Sequence, residues 1–347
     1  MRPVSRLSPV RLEPDDVRWL AFVCGRPDAL PFHHPAWLET IARSYGYRPF
    51  AIALARPNGE LAAGLPLLEV DTPLRRRRWV SLPFTDYCPP LASAEESVAL
   101  MAAVEGGRTA AGVGRLDVRA SVAGGVPAGK AFRHVLPLTS DVDGVFSTFS
   151  RSQVQRSINK SLRSHLILRR AQSRSELVDG YYNLHLRTRR RLGVPTQPRR
   201  FFDHLWTNVL EPGLGFLLLA VDGDSPVAGA VFMTGGKTII YKYGASDPSS
   251  WGARPNHLIF SSAIRWSCEH GYRTFDFGRT DLRDEGLRAF KAGWGTTEEQ
   301  LVYTSFGHGI RSPSAGSGLM SVARPVIRRS PPALSRLAGT LFYRYGA

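Results

Sequence analysis

Nowhere in its 347 residues does this chain hold an apolar run of about 18 residues, the length that would cross a bilayer. Cysteine is scarce. Cys24, Cys88 and Cys268 stand far apart with no CxxC spacing, which argues against a disulfide framework and against a zinc cluster. Small buried or half-buried thiols in a reducing compartment are expected instead. The opening residues, MRPVSRLSPVRLEPDD, lack an apolar h-region, so no signal peptide is expected and a cytoplasmic location follows. HExxH, GxSxG and Walker loops are absent, and the nine histidines are scattered, with His33-His34 reading as a helix-start turn. Lysine is rare too. Of 45 basic residues only Lys130, Lys160, Lys237, Lys242 and Lys291 are lysine. A lysine placed where arginine is the default points to a need for a compact charge rather than a planar fork.

What is abundant is positive charge. The net charge is +16. Residues 151–200 hold thirteen Lys/Arg against two Asp/Glu, a surplus of eleven. Such a field attracts polyanions: RNA, phosphorylated sugars or anionic lipid. Solvated charge on helix faces is the bland alternative. A composition 43% hydrophobic and 10% aromatic supports a real core, and the length suits two domains.

The order of patterns predicts a duplicated α+β unit. In the first half a helix near Ala36–Tyr45 precedes a strand at Phe50–Ala55, an Asn58-Gly59 turn and a strand carrying Ala63-Gly64. A helix near Ala94–Ala111 and a strand at Arg115–Val118 follow. In the second half helices near Tyr181–Arg191 and Phe201–Leu210 precede Phe216–Val221, an Asp222-Gly223 turn and a strand carrying Ala228-Gly229. A helix near Pro255–His270 and a strand at Thr274–Phe277 complete it. Asn-Gly and Asp-Gly between β-rich runs are hairpin signals. Between the halves, Asp141–Ser164 reads as one helix with Phe146, Phe149, Val154 and Ile158 on its apolar face. The expected domains are residues 1–138, 139–306 and a tail, 307–347. In that tail GHGIRSPSAGSG reads as a linker. Beyond it Leu334, Leu337, Ala338, Leu341, Phe342 and Tyr345 fall on one helical face, with Arg324, Arg328, Arg329, Arg336 and Arg344 around them. A basic amphipathic helix of this kind either docks on its own protein or lies on an anionic membrane surface.

The densest local signal is FDFGRTDLRDEGLRAFKAGWG, Phe275–Gly295. It reads as a strand, a Gly-Arg-Thr turn, an amphipathic helical turn and then Lys291 between an aromatic and two glycines, where backbone and substrate can approach closely. The plain alternative is a surface lysine at a helix end. Together with Tyr243-Gly244-Ala245-Ser246, Pro255-Asn256-His257-Leu258 and LHLRTRRRLGV, this block resembles the C-terminal domain of the Fem-type aminoacyltransferases and their GNAT-like relatives (BioF2-like acetyltransferase domains). Weaker matches at FHHPAW and LPFTDYCPPL extend the resemblance over roughly residues 30 to 305. It implies an α+β fold of two tandem GNAT-like (acyl-CoA N-acyltransferase) domains, with the transfer site in the second.

The resemblance implies that Lys291 contacts the acceptor and supports the transition state, with Phe290 lining the acceptor channel. Arg191, in Thr-Arg-Arg-Arg-Leu-Gly, matches a T-x-x-R-x-G pattern whose arginine suits a diphosphate; it also fits a solvated arginine at a basic helix end. Arg279 follows Gly278 at a strand terminus, where open α/β sheets place ligand contacts. Asp276 can orient that arginine, take the amine proton or cap the next turn. Tyr243, with Ser246, is a hydroxyl-bearing candidate or a packing residue. Trp37, Asp86 and Tyr87 match family positions near the acceptor pocket. The lysine that the family often has after that tryptophan is replaced by the neighbourhood of Ile41 and Arg43, so its phosphate contact does not carry over.

Acyl transfer to an amine needs a donor held against the nucleophile and a stabilised oxyanion, and no metal. No bound cofactor is expected. The expected donor is aminoacyl-tRNA, the expected acceptor a phosphorylated, amine-bearing envelope precursor or peptide-like metabolite. Two departures bear on the donor. The pyrophosphate loop R/Q-x-x-G-x-G/A has Trp251-Gly-Ala-Arg254-Pro255-Asn256 in its place, where Pro255 supplies no N–H. No coiled-coil arm, which larger Fem enzymes associate with tRNA, is visible. Transfer from an acyl-CoA or carrier-protein thioester is the first alternative, and a non-catalytic RNA- or membrane-surface-binding protein the second. Contact with the inner membrane surface, if made, is expected through the tail.

Overall fold

The computed structural model describes residues 7–71, 77–308, 325, 327–329 and 343. In chain order the first elements are β1 (Ser8–Leu12), α1 (Val17–Cys24), α2 (Pro35–Tyr45), β2 (Arg48–Ala55), β3 (Leu61–Asp71), β4 (Arg77–Val80), α3 (Ala94–Ala110) and β5 (Arg115–Val118). Next come β6 (Val126–Pro137), α4 (Val142–Ser147), α5 (Arg156–Leu162), β7 (Ile167–Arg170), α6 (Tyr182–Leu192) and α7 (Arg199–Leu205). The last are β8 (Gly215–Asp222), β9 (Ser225–Gly235), β10 (Thr238–Ser246), α8 (Pro255–Glu269), β11 (Thr274–Thr280), α9 (Glu285–Ala292) and β12 (Thr297–Gly307). Single π-helical stretches over Arg151–Gln155 and Glu176–Tyr181 lead into α5 and α6, and one over Trp206–Leu210 continues α7.

The described residues form two compact units, one running to Lys130 and completed by the strand residues from Leu301 on, the other Ala131–Gln300. One topology is built twice. In the first unit β2, β3 and β4 are antiparallel neighbours, α3 crosses over, and β5 returns parallel to β4. In the second, β8, β9 and β10 are antiparallel, α8 crosses over, and β11 returns parallel to β10. Each pattern then gains one antiparallel strand: β12 beside β5 and β6 beside β11. This is the tandem α+β arrangement expected from the two hairpin signals.

Period-2 alternation decides the layers. In the first unit Phe50, Ile52 and Leu54 of β2 enter the core under α3, while Ala51 and Ala53 face the cluster under α1 with Trp19. In the second, Phe216, Leu218, Ala228, Ala230 and Phe232 pack with α8 residues Leu258, Ile259, Phe260 and Ile264. The glycines noted in sequence occupy matching places. Gly64 lies against Trp19 and Gly229 against Tyr181, so each lets a large aromatic ring rest directly on the sheet. A Cβ on Gly229 would stand 2.7 Å from Tyr181 and 2.9 Å from Leu219. Gly229→Ala is therefore expected to cost about 1–3 kcal/mol of stability through overpacking, read as a lower urea midpoint at unchanged m-value.

Two expectations are corrected, and a third falls outside the described residues. Asp141–Ser164 is not one helix: α4 ends at Ser147, and the Ser150 amide donates to the Gly293 carbonyl at 2.8 Å before the π turn and α5 begin. Its apolar residues Phe149, Val154 and Ile158 are nonetheless buried, with Phe146 packed beside them. Cys24 is exposed, unlike Cys88 and Cys268, because its place on α1 turns it to solvent. Of the tail residues named above, only Arg328 and Arg329 are described, both exposed; the amphipathic face lies outside the described residues. Tyr343 is described and buried, stacked 5.7 Å from Tyr45 and edge-on to Phe84.

Candidate active site

The second unit concentrates chemistry at β11. β10 and β11 pair in parallel over only three residues, Thr238–Ile240 against Thr274–Asp276, and then their ladder ends. On its other edge β11 pairs with β6, where Asp276 faces Val135 and Arg279 faces Arg133. Phe277 and Gly278 thus oppose the single residue His134, a β-bulge with Gly278 at φ +73. Bulges re-aim strands beside functional sites. The Asp276 carboxylate holds this one, its Oδ1 accepting from the Gly278 amide at 2.7 Å while Arg133 Nη1 lies 3.7 Å from Oδ2.

Helix α9 delivers Lys291 to the bulge. Asp284 caps its start by accepting from the Leu287 amide at 3.1 Å, and Arg288 pairs with Glu298 while its guanidinium covers the Phe132 ring. Lys291 Nζ donates to the Gly278 carbonyl at 2.8 Å and the Arg279 carbonyl at 3.3 Å. Only 2% of the residue is exposed. The sequence reads as Lys291 between an aromatic and two glycines, with a surface lysine at a helix end as the alternative. The lysine sits instead in the last turn of a helix, buried and bonded to two carbonyls, because α9 continues through Ala292.

Around it lie buried polar atoms without hydrogen-bond partners: Thr280 Oγ1, Trp294 Nε1 and both His134 ring nitrogens. His134 Nε2 is 3.1 Å from Glu298 Oε2 but outside hydrogen-bond geometry. Burial, with the Lys291 charge adding to it, lowers the His134 pKa, so its imidazole is neutral near pH 7. Phe290 and Trp294 form an aromatic wall with Phe260 and Phe277. His257, in the first turn of α8, stacks on Trp294 at 5.5 Å and meets Phe290 edge-on. Burial, reinforced by Arg254, pushes its pKa down to about 4.

Of the expected site residues, Lys291, Asp276, Arg279 and Phe290 come together here. Arg279 is exposed, 3.7 Å from Asp281. Arg191 and Tyr243 lie elsewhere on the second unit. Arg191 stacks over Trp251, whose Nε1 donates to Ser246 Oγ, and Thr188 bonds the Ser246 backbone. Tyr243 is 9% exposed and packed against His185, Phe201 and Phe202, a core position. Burial drives the His185 pKa to about 3, and the neutral ring bonds Gln197. Trp37, Asp86 and Tyr87 belong to the first unit. Trp37 is buried with Nε1 on Thr85 Oγ1 at 2.9 Å, the Asp86 carbonyl accepts from Tyr303, and Tyr87 packs on the core. Among the described residues no group of three His, Cys, Asp or Glu is placed to hold a metal.

Sequence reasoning missed Arg133, His134 and His257 as neighbours of the site. Val126–Pro137 carries too little alternation and too many breakers to read as a strand, and His257 was visible only as a motif letter.

Comparison with known proteins bears on the fold. Residues 149–293 match the family model described as an acetyltransferase (GNAT) domain. The chain is 38% identical over 76 residues to a lipid II:glycine glycyltransferase of Staphylococcus haemolyticus, a match covering 20% of this chain and 18% of that protein. The chain thus spans under a fifth of the length of that curated relative. Among solved structures, FemX superposes with a TM-score of 0.72 at 18% identity, covering 89% of this chain and 99% of that one. A tandem GNAT protein from the clavulanic acid biosynthesis pathway reaches 0.51 at 13% identity, covering 88% and 100%. Residues 149–293 are thus similar to a GNAT domain, and the chain has the fold seen in FemX and in a tandem GNAT protein.

Proposed function

We propose that this protein is an N-acyltransferase that moves an aminoacyl group from aminoacyl-tRNA onto an amine of a phosphorylated cell-envelope precursor, with transfer in the second domain, residues 139–306. The observation that carries this reading is the Lys291 ammonium fixed at the β11 bulge. A desolvated point charge held by two carbonyls acts on developing negative charge far more strongly than a solvated one. In the proposed step the acceptor amine attacks the donor's ester carbonyl, and the oxyanion forms beside Lys291. Collapse then expels the ribose hydroxyl of the carrier, and the amine proton leaves with it or to solvent. An extended donor arm enters where the β10–β11 ladder ends, and Phe290 with Trp294 shields the reacting carbon from water. Arg279, beside the bulge, is assigned to acceptor phosphate, and contact with an anionic membrane surface to the residues after Gly318.

The likeness to a lipid II:glycine glycyltransferase supports an amine acceptor of that type. The test is donor choice. Incubation with a pool of charged tRNA and an amine-bearing muropeptide precursor is expected to yield an acylated product, lost when RNase is added first. Product that survives RNase and requires acyl-CoA would transfer the reading to a thioester donor. RNA or vesicle binding without turnover on any donor would reduce the protein to a binding module.

A further inference from the structure

The strongest unexplained feature of the second unit is a cavity of about 470 Å3 lined by Arg156, Asn159, Lys160, Arg163, Ser164 and Ala253. Arg156, Asn159, Lys160 and Arg163 are spaced i, i+3, i+4 and i+7, so α5 and its C-terminal end present them on one face. Ala253 closes the opposite side, directly before Arg254 and α8. Among the described residues no carboxylate pairs with any of the three cations. The segment 151–200 has two acidic residues, Glu176 and Asp179, and both are taken by Arg169 and Arg199. Arg174 and Arg187 find Asp203 and Asp247. The three cations at the cavity thus have no acidic partner among the described residues, and the remaining lining groups, an amide and a hydroxyl, can donate hydrogen bonds.

The helical segment that lines the cavity also begins beside the end of α9. Gln153 and Val154, in the π turn that opens into α5, press on Gly293: a Cβ there would stand 3.0 Å from Gln153 Oε1 and 3.2 Å from Val154 Cγ2. From Gln153 to Arg163 the chain is helical, about 15 Å at 1.5 Å per residue. One element thus starts against Gly293, two residues past Lys291, and carries three cations along its length.

We infer that this cavity binds the phosphate chain of the acyl donor's nucleotide carrier. The inference rests on the acyl-transfer reading of the Lys291 site. Two guanidinium forks and one ammonium match adjacent phosphates or phosphodiesters. A carrier anchored there sits along an element about 15 Å long whose start meets the end of α9. The same chemistry is offered by the 3′ end of a tRNA and by coenzyme A.

The test uses the full-length protein and two probes: a fluorescein-labelled RNA hairpin with a single-stranded CCA end, and coenzyme A. The triple variant R156Q/K160Q/R163Q is expected to bind one of them at least about tenfold more weakly. If that probe is the RNA, its log–log salt slope should fall by about 2, near 0.7–0.9 for each lost phosphate contact. A control with the same charge removed off the cavity, R169Q/R174Q/R199Q, should change affinity less than about twofold, since exposed ion pairs contribute little. Loss of RNA binding assigns the carrier to tRNA, and loss of coenzyme A binding assigns it to a thioester. Equal affinity in wild type and triple variant, an equal loss in the control, or no binding of either probe by the wild type overturns the inference. Should the triple variant fail to fold, R156Q and K160Q singly carry the same comparison. Cavity-dependent binding without any transfer activity would leave the phosphate site standing and defeat the proposed function alone.

Discussion

Lys291→Ala is expected to lower turnover about 10²–10³-fold, the scale of losing one oxyanion donor. Because Lys291 is buried and donates to the Gly278 and Arg279 carbonyls, the same change leaves two acceptors without that donor and should also lower the melting temperature. The two effects separate kinetically. Assayed well below its melting transition, the variant should show a reduced kcat with an acceptor KM changed by less than about threefold. A raised KM at intact kcat would make Lys291 a phosphate-holding residue. Lys291→Arg is expected to fail as well, since a planar fork does not fit a space shaped for one ammonium between two carbonyls. Loss of stability with full turnover in the surviving native enzyme would make Lys291 a clamp on the bulge and nothing more.

Asp276→Ala is expected to be the most damaging change to the scaffold of the site. It removes the acceptor of the Gly278 amide inside a bulge that is 4% exposed at Asp276, and takes the negative charge away from Arg133. A hydrogen bond to a buried carboxylate is worth about 1.5–3 kcal/mol. The loss should appear as a lower urea midpoint, with turnover falling because the carbonyls that hold Lys291 move. Asp276→Asn keeps an oxygen for the Gly278 amide and loses only charge. Near-native stability in Asn with poor turnover would mark the carboxylate as an electrostatic partner of the site. Near-native values of both would restrict Asp276 to shaping the strand.

Local signals foretold much of the scaffold and little of the site. Asn58-Gly59 and Asp222-Gly223 announced the two hairpins, and Ala63-Gly64 with Ala228-Gly229 marked the strands that accept Trp19 and Tyr181, so the repeat was legible before any contact was known. Lys291 was singled out because lysine is rare in this chain, yet its setting was misjudged. Gly293 and Gly295 suggested an open turn, whereas the Asp284 cap and the Arg288–Glu298 pair keep α9 helical to Ala292. The break after α4 was invisible for a related reason: it is fixed by the Ser150 amide reaching the Gly293 carbonyl, 143 positions on. The bulge needs β6 opposite β11, a pairing between distant segments that no local pattern encodes. The paired and unpaired arginines of residues 151–200 look alike in sequence, and only the fold separates them.

The account turns on whether an amide is made. The direct measurement is mass spectrometry of the amine acceptor after incubation with wild-type enzyme and charged tRNA, followed by hydroxylamine. The predicted result is a mass increase of one aminoacyl unit on the acceptor, stable to hydroxylamine as an amide is and an ester is not. It should be absent with Lys291→Ala over the same time. An unmodified acceptor with every charged tRNA and every acyl thioester, or an adduct that hydroxylamine removes, would contradict N-acyl transfer by this protein.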